Sequence, residues 1–167
     1  MATESERLEF LRGIPVFAGV EDAALSELAA GITETTFKAG ELVFREKESG
    51  SEMFVIQSGR VAVIKHLGQP RETNLATLGP RDFFGEMAII ECVSRSASVR
   101  ALEQAVLLRI RSLQLHRLYE HRPDQYSIII LNIARDISRR LRALDENWSE
   151  ASLWRSLDEA MLRAMDG

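Results

Sequence analysis

The sequence has very little cysteine, few large aromatics and no long apolar run. Cys92 stands alone, so no internal disulfide can form and no Cys-rich zinc or iron–sulfur site can be assembled. The longest aliphatic run, Ile128 to Leu131, is far short of a membrane span. The first twelve residues are acidic and amphipathic, without the basic-then-apolar order of a signal peptide, so a cytoplasmic protein is expected. There is no cationic excess either: 21 basic against 25 acidic residues leave a net charge of −4. Neither the part before Ser112 nor the part after it has the basic footprint that duplex nucleic acid demands, so direct DNA binding is not expected. Glycine disappears between Arg111 and Gly167.

What is present is enough for one core. The 167 residues are 46% hydrophobic and 28% charged, a globular balance that fits one domain or one domain with a short extension. Leu8 and Leu11, then Leu25, Leu28 and Ala29, recur at helical spacing, with a break around Pro15 and a stop at Gly31. From Ile32 to Arg111 the pattern turns to short Val-, Ile-, Phe- and Thr-rich segments punctuated by glycine. Met53–Ile56, Arg60–Lys65, Val99–Ala101 and Val106–Ile110 are candidate strands. Strands at intervals of about 8–12 residues with turns between them indicate a closed sandwich, roll or barrel.

Beyond Arg111 helical periodicity returns. Ser112–His121 suits a short helix, and Pro123 can open the next. There Tyr126, Ile130, Ile133, Ile137, Leu141, Leu144 and Trp148 follow steps of three and four residues, a coiled-coil-like stripe. That stripe reads as ordinary core or a dimer seam, or as a lid over a ligand; both can hold in one helix. A last helix is expected from about Glu150 to Met165.

The densest chemistry lies between Phe83 and Val99. Gly85 permits a close backbone approach, and Glu86 to Ile90 suits a short helix whose N–H groups favour an anion. Arg95 offers a planar fork suited to phosphate, Ser96 a hydroxyl, and the Ser96 and Ala97 amides further donors. Ala97 is small enough for a ligand to lie against the backbone. An acceptor-only carboxylate, Glu86, beside a phosphate site suggests a ligand with a donor hydroxyl, as a ribose has. Taken as two isolated residues, Glu86 and Arg95 would be a structural ion pair; the surrounding turn, helix and strand favour the ligand reading.

Gly85-Glu86-Met87-Ala88 followed by Arg95-Ser96-Ala97-Ser98-Val99 resembles the phosphate-binding cassette of the cyclic-nucleotide-binding domain family, which includes the catabolite activator protein and the regulatory domains of cyclic-nucleotide-dependent kinases. Gly40 to Glu46 and Met53 to Val61 resemble that family's first β-hairpins, and the likeness runs from about Phe17 to Arg142. The resemblance implies a mainly β fold: a double-stranded, jelly-roll-like β-roll over residues 15–122, with N-terminal helices and a short cassette helix. Residues 123–167 would form the long and terminal helices, serving as lid and dimer contact.

It also implies a ligand and roles. Glu86 would accept a hydrogen bond from the ribose 2′-hydroxyl, with Gly85 and Met87 lining the sugar. Arg95 would pair with the cyclic phosphate, helped by Ser96 and Ala97, and Val63 would touch the base. The long helix would bring Arg139, Arg140, Leu144 and Asp145 near the base, Arg140 being favoured. Ser96, where the family associates threonine with cGMP, points to cAMP rather than cGMP. The expected partners are this nucleotide, a second copy of the chain through the C-terminal helix, and an effector protein. No cofactor, metal or catalysis is expected. Two positions depart from the pattern: Lys47 replaces a common glycine, and Cys92-Val93-Ser94 replaces Gly-x-Pro before the arginine, which bears on affinity more than fold.

Two other classes share a roll. One is an interaction protein that no longer binds nucleotide, supported by the altered loop before Arg95. The other is a cupin-like metal enzyme, which needs several converging histidines; His66 is the only histidine in the β part, and His116 and His121 show no ligand spacing. Cys92 reads as a small, partly buried hydrophobe or as a redox-sensing thiol.

Overall fold

A computed structural model describes residues 4–91 and 93–165, with backbone alone at residue 4 and at residues 145–165. Two compact units divide the chain, Met1–Asn132 and Ile133–Gly167.

The first unit opens with α1 (Glu4–Arg12) and α2 (Asp22–Gly31), joined through a 3-10 turn at Pro15–Phe17. Proline takes the first position of that turn, where a missing N–H costs no hydrogen bond. Ala24, Leu25, Leu28 and Ala29 form the buried stripe of α2, as their spacing predicts. Arg12 clamps the start of α2 with two hydrogen bonds to Asp22, at 2.8 and 2.7 Å. Both groups are exposed, so the pair aligns the helices more than it stabilises them.

Eight strands follow: β1 (Thr33–Phe37), β2 (Leu42–Phe44), β3 (Glu52–Ser58), β4 (Val61–Lys65), β5 (Thr73–Leu78), β6 (Phe83–Phe84), β7 (Ser98–Ala101) and β8 (Ala105–Arg111). They form two four-stranded sheets, β1-β8-β3-β6 and β2-β7-β4-β5, antiparallel throughout. This is the β-roll. Phe54, Ile56, Val61, Phe84, Val99 and Leu107 lie in one buried cluster fed by both sheets. Phe44, Phe54 and Phe84 meet there with ring centroids 5.4–6.0 Å apart, a spacing at which aromatic pairs attract beyond their buried area.

Three strands are invisible to a hydrophobic-pattern reading. β1 and β5 are threonine-rich and largely exposed, and β6 is only two residues long. Pairing specifies them: β5 is held by β4 and β1 by β8.

α4 (Ser112–His121) and α5 (Pro123–Met165) complete the order. Gln114 folds back to accept the Arg111 N–H at 2.8 Å and donates to Leu28 O, fixing α4 against α2. The break expected before Glu150 does not exist: α5 is continuous, and no glycine or proline interrupts it. Within the first unit its buried face is Gln125, Ile129 and Asn132, one residue off the apolar stripe at Tyr126 and Ile130, which is half-buried. Two amides cause the offset. Gln125 accepts the Glu21 N–H, and Asn132 donates to Val16 O and Ala18 O, so both sit inside with their polar atoms satisfied.

Among the described residues no helix is long and apolar enough to cross a membrane.

Candidate functional site

Arg95 is the centre of the site. It sits just before β7, only 4% exposed, with its guanidinium 4.1 Å from the centre of the Phe44 ring. Nη1 donates to Glu52 O at 2.7 Å and to Gly85 O at 3.2 Å. Nη2 stands 3.7 Å from Glu52 Oε1, an ion pair too long for a firm hydrogen bond. The other edge, Nε and Nη2, finds no hydrogen-bond acceptor among the described residues. Burial pushes the Arg95 pKa down, and the charges of Glu52, Glu48 and Glu86 oppose that shift. An arginine so placed stays cationic, and its unfilled edge calls for an oxyanion.

The backbone is cut to fit it. A Cβ at Gly50 would lie 2.3 Å from Arg95 Nε and 2.6 Å from Nη2, so a larger residue there forces the guanidinium to move. Gly85 holds φ +82°, a left-handed conformation that glycine tolerates, and aims its carbonyl at Nη1. The Arg95 main chain is tied on both sides: its N–H donates to Glu48 O and its carbonyl accepts the Lys47 N–H, both at 2.8 Å.

Glu86 follows directly, 6% exposed, at the N-cap position of α3 (Met87–Ile90). The Ile89 and Ile90 amides turn back to the Glu86 carbonyl at 3.0 Å, closing the short helix onto it. Met87, the first helical residue, is exposed, and its Sδ receives the Ser96 hydroxyl at 3.6 Å. Ser96 is exposed and Ala97 buried. Lys65 Nζ donates to Ser96 O at 2.6 Å and pairs with Glu46 at 2.8 Å, tying the end of β4 to the segment before β7. Val63 on β4 is half-buried, pairs in register with Val99 and Ala76, and packs on the aromatic cluster.

Gly85, Glu86, Met87, Arg95, Ser96 and Ala97 therefore gather around one loop, helix and strand, with Val63 on the strand beside β7. Arg140 lies in the second unit, its Nε 2.6 Å from Asp136. Cys92 and the side chain of Asp145 fall outside the described residues. Lys47 adopts φ 70°, a left-handed conformation that glycine takes more readily than lysine. Sequence reasoning missed Glu52, Gly50 and Phe44. Glu52 is 43 residues from Arg95, so no local spacing could pair them. Among the described residues no three of His, Cys, Asp and Glu converge as a metal site requires.

Residues 34–122 match the family model described as the cyclic nucleotide-binding domain. Over 142 residues the chain is 29% identical to the CRP-like cAMP-activated global transcriptional regulator of Mycobacterium tuberculosis, covering 85% of this chain and 62% of that one. The crystal structure of Thermus thermophilus catabolite activator protein superposes with a TM-score of 0.69 at 29% identity, over 83% of this chain and 63% of that one. A cyclic nucleotide-binding domain from Methylobacillus flagellatus gives a TM-score of 0.73 at 21% identity, over 84% and 79%. The chain thus spans less than two thirds of the length of these regulators. It belongs to the cyclic nucleotide-binding domain family.

Proposed function

We propose that this member of the cyclic nucleotide-binding domain family binds cAMP in preference to cGMP and acts as a regulatory module without catalysis of its own. The observation that carries the reading is the buried Arg95 guanidinium, which donates to the protein through Nη1, set beside the buried Glu86 carboxylate. A cyclic phosphate supplies an acceptor, and a ribose 2′-hydroxyl supplies a donor to Glu86. Gly85 and Met87 line the sugar, the Ser96 and Ala97 amides assist at the phosphate, and Val63 contacts the base. The cAMP preference rests on Ser96 and gains support from relatives named for cAMP.

Output would come from a population shift: ligand held at Arg95 and Glu86 favours one position of the helix from Pro123, with Arg140 among the residues capping the base. Residues 15–122 would be the sensor, and residues 123–167 the lid and homodimer contact, signalling to an effector protein in the cytoplasm rather than to DNA directly. A second reading, a roll that serves protein contacts without nucleotide, is favoured by one observation: Glu52 and Gly85 already engage Arg95 Nη1.

Thermal unfolding with cAMP, cGMP and 5′-AMP separates the two. At ligand near 100 times its Kd, stabilisation of about 2.7 kcal/mol is expected, or roughly 5–11 °C for a domain of this size. At one common ligand concentration, a shift with cAMP, smaller with cGMP, absent with 5′-AMP and lost in Arg95→Ala supports the proposal. No shift with either cyclic nucleotide overturns it in favour of the second reading.

A further inference from the structure

A second cluster of cations lies across the strand from the cassette. Arg45, Lys47, His66, Gln69 and Arg71, with Glu46, line a cavity of about 290 Å³. The side chains of Arg45, Lys47 and Arg71 make no hydrogen bond or ion pair among the described residues. The one carboxylate in the wall is already engaged: Glu46 pairs with Lys65 at 2.8 Å and accepts the His66 N–H at 3.0 Å. Its main-chain N–H donates to Ser98 Oγ at 2.9 Å, anchoring the backbone of that segment. Three exposed cationic side chains with no hydrogen-bonded or charged partner among the described residues thus line one cavity.

Two wall residues also hold unfavourable backbone. Lys47 has φ 70° and His66 φ 57°, left-handed values uncommon for residues with a Cβ. Such conformations persist where surrounding bonds enforce them, and they collect at ligand sites. Here the Lys47 N–H is held by Arg95 O and the His66 N–H by Glu46. The cavity is wider than one phosphate needs, and its cations come from two separate segments, 45–47 and 66–71. That arrangement suits an anion with charge spread over two linked groups.

We propose that this cavity binds a small polyanion of the diphosphate class, with Arg45, Lys47 and Arg71 as its cationic ligands, independently of the nucleotide site at Arg95.

The test is titration of the full chain with pyrophosphate at fixed ionic strength, followed by calorimetry and thermal unfolding, with inorganic phosphate and sulfate as comparison anions. Saturable binding, tighter for pyrophosphate than for phosphate or sulfate, is expected for the parent and for Arg95→Ala. Charge-assisted hydrogen bonds of this kind make each arginine worth roughly tenfold to a hundredfold in affinity, so Arg45→Ala with Arg71→Ala should abolish it. Lys47→Gly gives a second readout that does not depend on the double variant folding: ligand-free unfolding temperature should rise as backbone strain is relieved, while pyrophosphate affinity falls. Equal affinity in parent and double variant, loss in Arg95→Ala instead, or a response shared equally by all three anions would each overturn the proposal.

Discussion

Gly50 and Arg95 are fitted so closely that one methyl group on residue 50 would force the guanidinium to move: the position of a Cβ there is 2.3 Å from Arg95 Nε. Residue 50 lies in the loop before β3, which also supplies Glu48 O to residue 95, while the first residue of β3 supplies Glu52 O. The loop is shaped as the outer half of an arginine socket.

Gly50→Ala is therefore expected to displace the guanidinium from Phe44 and to weaken cyclic nucleotide binding by at least about tenfold, the loss of one charge-assisted contact. Isothermal titration checks this. Binding at parental affinity would show that the close approach is dispensable.

Arg95→Ala has two separable effects. It deletes both bonds from Nη1 and leaves Glu52 and Glu86 without their buried cation, so the ligand-free protein should lose about 1–3 kcal/mol. For a chain of this size that is a fall of roughly 2–12 °C in Tm. Arg95→Lys keeps the charge but not the planar fork, and should recover part of the stability with little of the nucleotide binding.

Glu46 carries a pH dependence with a defined sign. The Lys65 hydrogen bond, then the His66 N–H, hold its carboxyl below the usual value of 4.5 in the folded state. A depressed folded-state pKa gives stability that is full above the unfolded value and is lost as pH falls through the folded one. Parent and Glu46→Gln should therefore differ most in Tm at neutral pH and converge in acid below pH 4.5. A gap that widens on acidification would reverse the assignment.

Asn132→Leu tests the polar seam at the root of α5. Its amide donates to Val16 O at 3.1 Å and to Ala18 O at 2.9 Å, and a leucine leaves both carbonyls without that partner. The expected loss is about 1–3 kcal/mol, with faster hydrogen exchange in the first turns of α5. Exchange at the parental rate would show that the seam does not restrain the helix.

Saturating cAMP should slow hydrogen exchange in the helix that starts at Pro123, if ligand selects one of its positions. Unchanged exchange throughout that helix would remove the switch while leaving nucleotide binding intact.

The helical ends and the roll were legible because their signals are local: Leu25, Leu28 and Ala29 at helical spacing, and the apolar run Val61, Ala62, Val63 and Ile64 in β4, where both faces are covered rather than one. The cassette was legible because Gly85, Glu86 and Arg95 lie within one short segment. What supports them was not. Glu52, Gly50 and Phe44 reach Arg95 only through the pairing of strands far apart in sequence, and Gln125 and Asn132 look like surface residues until their carbonyl and amide partners are placed. Hydrophobic pattern reports burial of apolar atoms and is blind to a polar group buried with its bonds made.

The strand order β1-β8-β3-β6 has a consequence for how the chain is made. The last strand of the roll is an interior strand of its sheet, lying between β1 and β3, which were synthesised long before it. Until Arg111 has left the ribosome, β1 has no neighbour to bond with. At about 5–20 residues per second this sheet waits several seconds with its seam open. β8 is the keystone, and a nascent chain cut short of it keeps every residue of the cassette without the arch that holds them.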